Sequence, residues 1–241
     1  MLTEWIILFL LISLPIVAAV NGKRVKAKLP TSKFRFYLKD IIGSFILLLI
    51  FLVLKPSIYH PLDFLYIDKG IIISEEVLSV ILPIIIVPFV LSFTPWTNDY
   101  PKDITVAKEL FGYPISYLPT TTKQYLLFVS YVIVGVFFEE LLCRQFLFYS
   151  LNKTLHLNGD LLVIVSSLIF AVGHLYQGWK GILSNFVLGL VLGKIFLLKE
   201  TLAYPIVLHL FLNLTIVVLA FRRIKDLNKN NSNIQENSLI D

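Results

Sequence analysis

The chain has 241 residues, 57% of them hydrophobic and 15% charged, with a net charge of +5 and a mean hydropathy of +0.81. A soluble domain of this size carries about a quarter charged residues, so the composition excludes one. The single cysteine, Cys143, excludes an internal disulfide framework and a cysteine-based zinc cluster.

The apolar residues fall into blocks long enough to cross a hydrocarbon core of about 30 Å, which takes about 20 helical residues. Lipid offers backbone groups no water, so spanning elements are helices or a closed barrel. The blocks are continuously apolar rather than alternating. They predict an all-α polytopic transmembrane bundle of about seven spans, at about 4–20, 40–55, 77–93, 124–149, 160–177, 182–198 and 202–220.

The first span could be mistaken for a signal peptide, with Val17-Ala18-Ala19 as its cleavage site. No basic residue precedes the apolar run and many follow it, the reverse of a signal peptide, so it is expected to stay as a span. Lys23, Arg24, Lys26, Lys28, Lys33, Arg35 and Lys39 then form a basic first loop, expected to be cytoplasmic. That places the N-terminus outside and the tail inside, and Arg222, Arg223, Lys225 and Lys229 agree. Basic residues placed this way need no nucleic-acid partner.

The third span carries Pro83 and Pro88, tolerated as kinks. Glu75-Glu76 at its edge and His60 in the preceding loop read as solvated, and residues 94–123 read as a long loop with an interfacial segment. The organisation is thus 1–123, helices and loops; 124–220, a helical core; and 221–241, an asparagine-rich tail expected to be disordered. The expected location is the plasma membrane of a bacterium.

Ionisable groups within a membrane are expensive, so each is a candidate functional residue. The fourth span holds Glu139-Glu140-Leu-Leu-Cys-Arg144. Positions four apart share a helix face, so Glu140 and Arg144 can pair. Glu139 stands roughly 140° around a uniform helix from Arg144 and has no evident partner there, which leaves it available as a general base. The fifth span brings Phe170-Ala-Val-Gly-His174, and the seventh His209-Leu-Phe-Leu-Asn213. His209 and Asn213 share a face and present a pair of donors suited to an oxyanion or to part of a metal site. Lys194 lies near the end of the sixth span and reads as a snorkelling residue. Cys143, Ser166 and Ser167 read as packing residues rather than nucleophiles, His156 as a loop residue, and Gly189-x-x-x-Gly193 as a close-packing face.

In this order on successive helices, Glu139-Glu140-x-x-x-Arg144, Phe170-x-x-x-His174 and His209-x-x-x-Asn213 resemble the motifs of the CAAX protease and bacteriocin-processing (Abi, type II CAAX prenyl endopeptidase) family. Ser166-Ser167-Leu-Ile-Phe170-Ala and Tyr204-Pro205 add to the likeness, which covers about 124–218. The resemblance implies intramembrane endopeptidase activity on a peptide or membrane-protein substrate. Glu139 and His174 would activate a water, His209 and Asn213 would stabilise the oxyanion, and Glu140 and Arg144 would support the site. One departure is Gln145, where many relatives have glycine. The family is commonly described as metalloproteases, and the residues alone leave open one divalent metal such as zinc, or none. The rival reading is a non-catalytic membrane scaffold or immunity protein of the same fold. A transporter ranks third, since no repeated halves are visible.

Overall fold

The computed structural model describes residues 2–27, 32–54 and 121–215, with short stretches at 109–110, 113–114, 118–119, 217–218 and 221. Seven α-helices account for nearly all of them: α1 (Leu2–Ala27), α2 (Lys33–Leu54), α3 (Thr122–Glu140), α4 (Leu147–Leu155), α5 (Gly159–Val172), α6 (Gly178–Lys199) and α7 (Ala203–Thr215). A π-helical segment, Leu141–Phe146, joins α3 to α4, and a 3-10 turn, Leu175–Gln177, leads into α6. The only other regular structure described is a two-residue antiparallel pair, β1 (Glu109–Leu110) with β2 (Tyr113–Pro114). The class is all-α, as composition predicts.

By length and apolarity, Glu4–Gly22, Thr122–Leu155 and Leu175–Lys199 can cross a membrane among the described residues, and Gly159–Val172 and Ala203–Thr215 are shorter apolar helices. Described helices coincide with every predicted span except 77–93, which lies outside the described residues, as does nearly all of the tail. The described helix positions are consistent with seven spans.

Two boundaries differ from expectation. The basic first loop is mostly helical: Lys23, Arg24 and Lys26 belong to α1, and Lys33, Arg35 and Lys39 to α2. The predicted span 160–177 is interrupted, because α5 ends at Val172 and His174 lies in the turn beyond it. The apolar run reads through this break, but Gly173 and Gly178 bracket it, and Gly178 takes φ +80°, a conformation that favours glycine.

The main core joins Ile7 and Leu11 of α1 to Leu141, Phe146, Leu151 and Leu162. A second cluster fastens α2 to α3, with the Tyr37 ring 5.2 Å from Phe128 and 5.7 Å from Tyr131. The Lys33 ammonium donates to the Leu118 carbonyl at 2.6 Å. Thr121 starts α3, its hydroxyl accepting from Gln124 N–H at 3.3 Å. Large apolar side chains such as Phe9, Val53 and Phe211 point outward, the arrangement of a bundle whose outer surface meets lipid.

Helices α5 and α6 make the closest pairing. A Cβ at Gly189 would lie 2.9 Å from Ser167 Cβ and 3.1 Å from its Cα, and one at Gly193 would lie 3.1 Å from Val163 Cγ1 and 3.2 Å from Phe148 Cζ. The expected small-residue face is therefore a true contact. Gly189→Val is expected to lower stability by about 1–3 kcal/mol, read as a drop in the unfolding temperature of the purified protein in mild detergent. The same variant at Gly135, where a Cβ meets nothing within 4 Å, should shift it far less.

Candidate active site

Glu139 and Glu140 close α3, immediately before the π-helical turn. Such turns carry an extra residue and recur at functional sites. Glu140 and Arg144 pair across the start of this turn: Arg144 Nη1 donates to Glu140 Oε1 at 3.1 Å, with Glu140 0% and Arg144 2% exposed. The guanidinium does more than neutralise. Its Nη2 donates to the Gly189 carbonyl of α6 at 3.3 Å, and its plane lies 4.8 Å from the centre of the Phe170 ring. Arginine suits this post because its planar fork can bond and stack at once.

Glu140 has a second partner that spacing could not reveal. His209 Nδ1 lies 2.7 Å from Glu140 Oε1, across 69 positions of chain. The carboxylate is acceptor-only while ionised beside Arg144, so Nδ1 carries the proton and donates. That bond fixes the ring and turns Nε2 toward Asn213 Nδ2 at 3.4 Å and Glu139 Oε2 at 3.8 Å. Glu139 makes no hydrogen bond among the described residues, and its side chain is 41% exposed. The two adjacent carboxylates thus occupy opposite situations, one spent in a dry ion-pair network and one open.

His174 occupies the turn after α5. Its Nδ1 lies 3.0 Å from the Phe170 carbonyl, an acceptor that the helix end leaves orphaned and that Gly173 N–H also reaches at 3.1 Å. A carbonyl can only accept, so Nδ1 donates and neutral His174 keeps its lone pair on Nε2. Glu139 and His209 are both within electrostatic range of the ring. Phe170 is the hub of the arrangement: His174 lies 4.8 Å and His209 5.9 Å from its ring centre, the latter edge-on, with Arg144 on the same ring.

All six residues singled out from the sequence therefore gather in one region: Glu139, Glu140 and Arg144 on α3 and the π turn, His174 beyond α5, His209 and Asn213 on α7. Glu140 is not merely the partner of Arg144 but also the orienter of His209. Lys194 does not snorkel alone; its ammonium pairs with Asp160 at the start of α5. The Ser166 and Ser167 hydroxyls both donate to the Val163 carbonyl, so neither is poised as a nucleophile. Cys143 is a buried free thiol.

Sequence reasoning missed α1. Pro15 approaches the space beside Gly173, and a Cβ at Gly22 would lie 2.6 Å from the Tyr176 ring. The first helix thus backs the turn that carries His174. A Gly and a Pro within one apolar helix were the available signal.

Among the described residues, no three of His, Cys, Asp and Glu converge on one point.

The family model described as type II CAAX prenyl endopeptidase Rce1-like matches residues 121–215. The match opens at the Thr121 cap of α3, closes at the end of α7, and contains every residue of the site. No curated protein and no solved structure is significantly similar to the chain. Residues 121–215 are thus similar to type II CAAX prenyl endopeptidases, a family of proteases, and they lie in a chain with the apolar helices of an integral membrane protein.

Proposed function

We propose that the protein is an intramembrane endopeptidase that hydrolyses a peptide bond with water activated by Glu139 and His174. The observation that carries this reading is the contrast between the two glutamates: Glu140 is sealed in its pairs with Arg144 and His209, while Glu139 is open beside His209 Nε2 and makes no hydrogen bond among the described residues. An acceptor in that position, with a second lone pair offered by His174 Nε2, suits proton abstraction from water.

In this mechanism Glu139 takes one proton from the water while His174 Nε2 accepts the other hydrogen in a hydrogen bond. The oxygen attacks the carbonyl carbon of the substrate. The negative charge that develops on the carbonyl oxygen is met by Asn213 Nδ2 and by His209 Nε2. Since His209 Nδ1 already donates to Glu140, Nε2 can donate only when both ring nitrogens carry protons. Collapse of the tetrahedral intermediate expels the amine, which takes the proton from Glu139. No step is routed through a metal. The substrate of this reading is a peptide or membrane protein entering from lipid, and the basic residues of α1 and α2 favour a cytoplasmic side for their ends of these helices.

The test is cleavage by the full chain in lipid bilayer discs, using a pool of quenched-fluorescence membrane-spanning peptides. His174→Ala is expected to slow cleavage by about 10²–10⁴-fold, the range for loss of a group in general acid–base catalysis. Cleavage by His174→Ala at the wild-type rate would return the protein to the scaffold reading.

A further inference from the structure

The 3-10 turn that follows His174 carries a polar chain of its own. Asn185 Nδ2 lies 2.7 Å from the Gly181 carbonyl and 3.0 Å from Gln177 Oε1, and Gln177 Nε2 lies 3.1 Å from the Tyr176 hydroxyl oxygen. The polarity of this chain follows from one end. The Gly181 carbonyl can only accept, so the Asn185 amide must present its nitrogen. That nitrogen also faces Gln177, which must therefore offer its oxygen. Gln177 is then left with its NH₂ toward Tyr176, and the phenolic oxygen accepts.

A phenol that accepts from Gln177 keeps its own proton to donate. No acceptor for it occurs among the described residues. The ring itself is fixed on two sides: a Cβ at Gly22 would lie 2.6 Å from it, and it stacks on the His174 ring at 6.2 Å between centres. Gly181 is part of the device, since a Cβ there would lie 2.2 Å from Gln177 Cβ. A directed donor is thus held beside His174, and none of the steps above uses it.

We propose that Tyr176 is a substrate-positioning residue, its hydroxyl donating to a backbone carbonyl of the bound peptide near the scissile bond, with Gln177 and Asn185 holding the phenol as donor. The proposal rests on the peptidase reading for the identity of its ligand. A backbone carbonyl is the group that a single fixed neutral donor recognises in any peptide sequence.

The test measures binding of a labelled leucine–alanine membrane-spanning peptide to the full chain in lipid bilayer discs, in a Glu139→Gln background that prevents turnover. Cleavage of the peptide pool is followed in parallel with Glu139 intact. Tyr176→Phe keeps the ring against Gly22 and His174, so its unfolding temperature should match that of its parent. It is expected to weaken binding about fivefold, the value of one neutral hydrogen bond, and to raise KM similarly with little change in kcat. Asn185→Leu, which frees Gln177 to turn and capture the phenolic proton, is expected to weaken binding to a similar degree. Unchanged binding by Tyr176→Phe, with cleavage intact, would overturn the proposal and leave the peptidase reading standing. Weakened binding with no cleavage by the wild type would support the proposal and overturn the peptidase reading. Absence of peptide binding by the parent would overturn both.

Discussion

Glu139→Gln is expected to lower the rate of peptide cleavage about a thousandfold while leaving the unfolding temperature nearly unchanged. The two halves of this result come from the same geometry. Glutamine keeps the shape of the side chain but cannot take a proton from water, and general-base catalysis is worth about 10²–10⁴ in rate. Stability is spared because Glu139 makes no hydrogen bond among the described residues; His209 Nε2 is 3.8 Å away. Substitutions at positions outside bonded networks usually shift stability by about 0.5 kcal/mol or less. Rates read from quenched peptides and a thermal melt of the same preparation check both halves.

Arg144→Met should do the opposite and unfold the bundle before it touches the chemistry. Removing the guanidinium leaves Glu140, which is fully buried, with His209 as its remaining partner. It also deletes the bond to the Gly189 carbonyl and the contact with Phe170. Breaking a buried ion pair from one side costs about 3–5 kcal/mol, because the remaining charge stays in a dry environment. Replacing both members, Glu140→Gln with Arg144→Met, should recover much of that loss, since no uncompensated charge remains. Arg144→Lys should fall between, because an ammonium keeps the charge but not the fork or the stacking plane. Unfolding of the four proteins in mild detergent gives the order directly.

The parts of the site legible in the sequence are those that a single helix encodes. Spacing of four joined Glu140 to Arg144, and the same periodicity set Glu139 apart from both. His209 and Asn213 were placed on one face for the same reason, and they meet at 3.4 Å. What spacing could not supply was contact between helices. The bond from His209 to Glu140 depends on how α7 packs against α3, and no local rule reports it. The turn at His174 was hidden because hydropathy averages over windows longer than the break, although Gly173 and Gly178 mark it. The π turn was invisible for a related reason: a wheel at uniform pitch has no place for an extra residue. The contribution of α1 was missed because its apolar composition reads the same whether a helix faces lipid or backs a catalytic turn. Only the contacts of Pro15 and Gly22 separate the two.

The central claim is that water, activated at Glu139, is the nucleophile. The most direct measurement is mass spectrometry of the products formed from a membrane-spanning peptide in ¹⁸O-labelled water, with wild type and Glu139→Gln run side by side. The account predicts a new C-terminal carboxylate carrying one ¹⁸O atom with the wild type, and almost no product with the variant. Product at the wild-type rate from Glu139→Gln, or a wild-type product without the label, would contradict it.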